Sequence, residues 1–314
     1  LYRHIISALK GAVYLQRDTL RKLKGKDFSY FKPCKMCRCK IPCYSYTDIL
    51  RFPEYNRFVF PKNQNTVVFV GGSLREEEQY GDNDIVYATP AQQGDMFVAI
   101  LEGFKNILII DGYFYNEFPC TTFEVLLALE EGRNVFGSSS IGALRAVELD
   151  NYGMVGVGYA YHYLKDKKIK PYHIVAQIYD DNNKPLSTPL IHIIYFLKSA
   201  LNKEIIKRGE FYKSLDVANS THFALLTFQY FFKRLESSKT LPQNIIEGMR
   251  NYFYLMGEDS FNVKRRDALF LLRSFKSIIA KRNSDYVVKI FMLAKDKYLK
   301  IFYEKYTLSY NLIL

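Results

Sequence analysis

The sequence lacks the features that mark secretion or membrane insertion. No apolar stretch reaches the roughly 18 residues that a membrane span needs. The greasiest run, Phe223 to Phe232, is broken by Thr227 and Gln229. Leu1 to Lys10 carry Arg3 and His4 among apolar positions, with no hydrophobic block and cleavage site behind them, so no secretory signal is expected. The first residue is not Met, and an incomplete N-terminus is the expectation. Cysteine is scarce: there are 5, and Cys34, Cys37, Cys39 and Cys43 sit together. That is too few and too local for a secreted disulfide scaffold, and points to a reducing, cytoplasmic setting. His4, His162, His173, His192 and His222 show no metal-ligand spacing.

What is present suffices for a sizeable core, at 314 residues with 48% hydrophobic content. Charge is unevenly spread. Residues 1–62 hold 14 Lys/Arg against 4 Asp/Glu, residues 63–180 hold 8 against 16, and the remainder holds 22 against 12. An acidic middle between basic flanks implies three regions: a basic N-terminal extension (1–62), a core (63–180) and a C-terminal region (181–314). Basic flanks suit an acidic protein partner or a solvated surface; nucleic acid is not expected, because no nucleic-acid-binding motif accompanies the charge.

Residues 1–25 space Ile5, Leu9, Val13 and Leu20 as a helix would, reading as a surface helix or a membrane-surface one. From Thr66 the element types alternate. Val67–Val70 is a buried strand feeding Gly71-Gly72, and Gly94–Lys105 has helical periodicity. Ile107–Ile110 is a second strand, stopped by Asp111-Gly112. Thr121 and Glu124 form a capping box for a helix running to Gly132. Asn134–Phe136 is a third strand and Ser140–Leu149 the next helix. This order predicts an α/β fold with a small parallel sheet. Leu190–Leu201, Phe223–Leu235, Ile245–Leu255, Ala268–Ile279 and Val287–Phe302 then predict an α-helical C-terminal half.

Sites in parallel sheets collect beyond the C-terminal ends of the strands. Gly71-Gly72, Asp111 and Ser138-Ser139-Ser140 all fall there. A strand ending in small residues that opens a helix gathers backbone N–H groups and the positive end of a helix dipole. A Ser held there presents its hydroxyl near donors suited to an oxyanion. The same segment also reads as a Ser-rich N-cap or an anion-binding turn. Ser140-Ile141-Gly142 matches the second half of a nucleophile elbow, with Ser138 in place of the first Gly. The clustered cysteines read either as four thiolate ligands for Zn²⁺ or as free thiols or local disulfides.

From Thr66 to about Asp180 the chain resembles the TfuA family. The resemblance is carried by Val68-Phe69-Val70-Gly71-Gly72-Ser73-Leu74, Pro90-Ala91-Gln92-Gln93-Gly94-Asp95, Ile109-Ile110-Asp111-Gly112-Tyr113-Phe114 and Glu124. It continues through Gly137-Ser138-Ser139-Ser140-Ile141-Gly142-Ala143-Leu144-Arg145-Ala146-Val147-Glu148-Leu149 and Tyr152-Gly153-Met154-Val155-Gly156-Val157-Gly158. Pro185-Leu186-Ser187 and Lys264-Arg265-Arg266-Asp267-Ala268 are also similar to family segments.

The resemblance implies work beside a YcaO-type enzyme in peptide backbone thioamidation, a post-translational modification of RiPP biosynthesis. It implies hydrolysis of a ThiS-like carrier's thiocarboxylate to release sulfide, and binding of the YcaO enzyme; a non-catalytic adaptor is the alternative. A Ser–Lys pair is implied, in which burial lowers the Lys pKa so that it takes the Ser proton. The Ser falls on Ser140, with Ser139 second. Gly137, Ser139, Gly142, Arg145 and Asp111 are the expected substrate-binding residues. Arg145 neutralises the thiocarboxylate or pairs with Glu148 or Asp111; Asp111 orients the site or caps its own turn. The family's His-Lys-Glu is Thr122-Phe123-Glu124 here, so the Lys is either missing or is Lys264, and Gly72 stands where the family prefers Pro. No cofactor and no metal are expected at the site.

Overall fold

The computed structural model describes residues 64–79, 84–113, 119–167, 172–180 and 185–282. The expected 1–25 helix, the cysteine cluster and the Val287–Phe302 helix lie outside these residues. The described residues all belong to one compact unit.

The sheet has five strands: β1 (Thr66–Phe69), β2 (Ile85–Ala88), β3 (Asn106–Ile109), β4 (Asn134–Ser138) and β5 (Val155–Val157). Their order is β2-β1-β3-β4-β5 and every pairing is parallel. Chain direction across the sheet reverses between β1 and β3, the crevice where ligands of open α/β sheets bind. Crossovers are made by α1 (Asp95–Leu101) between β2 and β3, α2 (Thr122–Glu130) between β3 and β4, and α3 (Ile141–Leu149) between β4 and β5. The α4 helix (Tyr159–Lys167) follows β5. Among the described residues the β1–β2 connection holds only a 3-10 turn, Glu76–Glu78, which leaves one sheet face without a crossover helix.

That face is filled from the far end of the chain. Side chains alternate along a strand, so Val68, Leu108 and Phe136 share one face, and they pack with Ala268, Leu271 and Phe275 of α9 (Val263–Arg282). Val67, Phe69, Ile107, Ile109 and Val135 point the other way and are equally buried, beneath the crossover layer. The helical half is therefore bound to the sheet through α9. Against α9 lies α5 (Leu190–Asn202); α6 (Arg208–Asn219) packs on α5, α7 (Phe228–Ser238) on α6, and α8 (Gln243–Met256) on α5 and α7. Their core centres on Phe196, which meets Phe228, Phe232, Tyr252, Phe253 and Phe261 ring to ring. Each such ring contributes about 2–3 kcal/mol by burial.

Local chemistry sets the boundaries. Thr121 and Glu124 form the expected capping box, with the Glu124 N–H donating to Thr121 Oγ1 and the Thr121 N–H to Glu124 Oε1. The α7 helix starts at Phe228 rather than Phe223, because Thr227 Oγ1 accepts the Tyr230 N–H and fixes the N-cap there.

Candidate functional site

The register brings the site together. Phe69, Ile109 and Gly137 lie abreast on β1, β3 and β4. With strands about 4.8 Å apart, the residues leaving these strands emerge as neighbours at the β1/β3 reversal. Asp111 is their hub. Its Oδ2 accepts the N–H groups of Gly71 and Ser73 (2.9 and 3.0 Å), and its Oδ1 accepts the Ser73 hydroxyl (2.7 Å). Ser73 Oγ lies 2.8 Å from Ser139 Oγ. Because the Ser73 hydrogen is used on the carboxylate, the Ser139 hydroxyl is the donor to Ser73. The result is a directed chain from Ser139 through Ser73 to Asp111.

Three adjacent serines have three separate fates. Ser138 Oγ points at the carbonyls of Val157 and Asp267 (2.8 and 3.1 Å), joining β4 to β5 and α9. Ser139 takes φ 66°, a left-handed conformation that non-Gly residues adopt at a cost of about 1–3 kcal/mol. It sits on the turn between β4 and α3, the place of the strained nucleophile in an elbow. Ser140 is the N-cap of α3; its side chain makes no cap hydrogen bond, and its N–H is taken by Ser138 O and Ile110 O. Tight backbone contact holds the turn: a Cβ on Gly142 would stand 1.7 Å from Ile109 O, and one on Gly137 2.1 Å from Gly142 O. Only glycines let α3 approach the strands this closely.

Lys264 enters from the first turn of α9. Its Nζ donates to Tyr179 OH (2.9 Å) and Gln177 Oε1 (3.1 Å) and faces Asp111 Oδ1 at 3.8 Å. Burial alone favours the neutral amine, but Tyr179 and the Asp111 carboxylate outweigh it, and the pKa is raised. This differs from the lowered value expected of a Ser–Lys base. The Lys264 backbone N–H donates to His192 Nε2 (3.3 Å). Burial, reinforced by Lys264 and Arg266, pushes the His192 pKa down to about 3, so the imidazole is a neutral acceptor. Ser139, Ser73, Asp111 and Lys264 are all buried, Ser139 completely.

The remaining expected residues have other partners. Arg145 Nε donates to Cys120 O (2.7 Å), and its Nη1 pairs with Glu148 at 2.7 Å. The expected pair with Glu148 is therefore formed. Phe123, at the family's Lys position, lies in the first turn of α2. Asp267 Oδ2 accepts the Ala160 N–H (2.7 Å) and caps α4, while Arg266 lies 4.1 Å from the Tyr195 ring centroid. Among the described residues no three His, Cys, Asp or Glu side chains converge as metal ligands, and no helix is long and apolar enough to cross a membrane.

Sequence reasoning did not single out Ser73, Gln177, Tyr179 or His192. Ser73 had a signal, standing directly behind the Gly71-Gly72 turn at a strand end. Tyr179 and Gln177 reach the site from a stretch with no periodicity, and His192 from the buried face of an ordinary amphipathic helix.

A comparison with curated proteins finds no match for this chain. The family model described as TfuA-like protein matches residues 111–227. The matched stretch holds Asp111, the three serines, Arg145, Tyr179 and His192, while Ser73 and Lys264 lie outside it. That stretch, from the hub carboxylate to the Thr227 cap of α7, is TfuA-like in sequence.

Proposed function

We propose that this protein acts in YcaO-dependent peptide backbone thioamidation by hydrolysing the thiocarboxylate of a ThiS-like carrier, with Ser139 as nucleophile. The observation behind this reading is the hydrogen-bond chain from Ser139 through Ser73 to Asp111, with the Lys264 ammonium beside it. Ser139 is preferred to Ser140 because its hydroxyl belongs to that chain and its φ of 66° is that of an elbow residue.

In the proposed reaction Ser139 Oγ attacks the thiocarboxylate carbon as its proton passes through Ser73 to Asp111. Lys264 offsets the negative charge of the substrate and of the tetrahedral intermediate. The C–S bond then breaks, the proton returns to sulfur, and HS⁻ leaves with the acyl group on Ser139 as an ester. Water attacks this ester, gives up its proton along the same chain, and frees the carrier carboxylate and the hydroxyl. Lys264 holds charge and Asp111 takes the proton, since the raised Lys264 pKa favours the ammonium. The proposed setting is the cytoplasm, in keeping with the free Cys120 thiol.

A second reading, a non-catalytic adaptor that binds the YcaO enzyme and its peptide, is favoured by the complete burial of Ser139. Sulfide release from thiocarboxylated carrier separates the two. Hydrolysis predicts release by the unmodified protein, a fall of about 100-fold or more in Ser139→Ala, and little change in Ser140→Ala. Full release by Ser139→Ala refutes the assignment. No release, together with capture of the YcaO enzyme, supports the adaptor.

A further inference from the structure

The hydroxyl chain is closed, and the side chains that close it are identifiable. Ser73, Asp111, Ser139 and Lys264 are buried, whereas Gln177 and Tyr179, which bond to Lys264, are partly exposed. They form the outer layer. The Tyr179 ring lies against the Gly71-Gly72 turn so closely that a Cβ on Gly72 would stand 2.0 Å from its Cε1. Ser73, the next residue, carries the bond to Ser139. At its other end the Tyr179 hydroxyl accepts from Lys264 and donates to Gln177 Oε1 at 2.7 Å.

The segment bearing this ring is fastened at its margin rather than built into an element. Gln177 Nε2 donates to Ser187 O (2.8 Å), the Ile178 N–H to Ser187 Oγ (2.9 Å), and the Leu186 N–H to Ile178 O (2.8 Å). These bonds hold the strap, and the first of them also fixes the Gln177 amide whose oxygen accepts the Tyr179 hydroxyl. The ring itself is kept in place by the glycine beneath it and by two contacts of its hydroxyl, the Lys264 ammonium and the Gln177 amide oxygen.

We propose that Tyr179 is a displaceable cover over Ser139, with its hydroxyl occupying the position on Lys264 that an anionic substrate tail takes. A neutral hydroxyl is the weaker acceptor for a buried ammonium, since hydrogen bonds to an ionised acceptor are roughly twice as strong. A carboxylate-like tail therefore displaces it, swings the ring off the Gly71-Gly72 turn and opens the path to Ser139. A small electrophile without that anion does not. The identity of the tail as a thiocarboxylate rests on the function proposed above; the cover does not.

The test uses a fluorophosphonate, whose phosphorus bonds the hydroxyl oxygen as fluoride leaves. Intact mass and peptide mapping follow labelling of the full chain. Slow labelling is expected for the unmodified protein, and labelling of Ser139 at least tenfold faster for Tyr179→Ala. Gly72→Ala is expected to do the same by pushing the ring away from beneath, and serves if Tyr179→Ala does not fold. Circular dichroism establishes that each variant is folded. Folded variants that label no faster, or a Tyr179→Ala/Ser139→Ala protein that labels as fast as Tyr179→Ala, overturn the proposal. Accelerated labelling of Ser139 without sulfide release by any variant leaves the cover standing and removes the hydrolase reading. Sulfide release without accelerated labelling does the reverse.

Discussion

Replacing Glu124 with Gln is expected to change how stability depends on pH. The Glu124 carboxyl is buried between the starts of α1 and α2, accepting the Gly94 N–H at Oε2 (2.7 Å) and the Thr121 N–H and hydroxyl at Oε1 (3.2 and 2.9 Å). Burial raises its pKa from 4.5 to about 7; the hydrogen bonds oppose this rise, and nearby Asp95 adds to it. The folded state therefore holds the proton more tightly than the unfolded chain does. The stabilisation is complete below pH 4.5 and is lost as pH rises to about 7. That displacement corresponds to about 3 kcal/mol.

Gln copies the protonated state in part: its amide donates to Thr121 Oγ1 while its oxygen accepts from Gly94, and the bond from the Thr121 N–H is lost, because an amide nitrogen does not accept. Near pH 4.5 the variant should lie within about 1 kcal/mol of the unmodified protein. By pH 8 it should have gained about 3 kcal/mol relative to it. Urea unfolding across pH 4–8, compared as the difference between the two proteins, isolates this group from all others. A difference that does not vary with pH would show that Glu124 does not titrate in this range and that its burial has been misread.

His192 carries the opposite dependence. Its pKa falls from 6.5 to about 3 on folding, so it stabilises above pH 6.5 and loses up to about 5 kcal/mol as pH falls towards 3. His192→Gln should flatten acid denaturation in urea titrations. Gly142→Ala forces a Cβ to 1.7 Å from a strand carbonyl and should cost at least about 3 kcal/mol in thermal unfolding. Gly209→Ala, in α6 with nothing within 4 Å of the new Cβ, should gain about 0.5–1 kcal/mol. Ser73→Ala should cost about 1 kcal/mol of stability and lower sulfide release by about 100-fold or more; unchanged release would mean that the proton takes another path.

The sheet was legible where burial is continuous and punctuation strong. Val67–Val70 and Ile107–Ile110 are apolar runs stopped by glycine turns, and Thr121 with Glu124 announced α2 by chemistry alone. β2 and β5 were not legible: Ile85–Ala88 is an edge strand beside an acidic, Gly-containing stretch, and Val155–Val157 is three residues long with Gly156 at its centre. α4 and α6 mix aromatic and charged residues too evenly to show an apolar stripe. Strand ends marked Asp111 and the serines as candidates, because the sites of parallel sheets gather there. Which serine joins the hub is a matter of one left-handed φ, and no periodicity reveals that. Lys264 was visible only as part of a similar segment; its partners at positions 177, 179 and 192 come together through packing of α9 on the sheet.

The most direct measurement is acid-quenched mass spectrometry of the protein mixed with thiocarboxylated carrier. An ester joining the carrier's C-terminal acyl group to Ser139, formed as sulfide appears and absent in Ser139→Ala, is the predicted result. Sulfide released at the full rate with Ser139 unmodified and the acyl group on another residue would contradict the account.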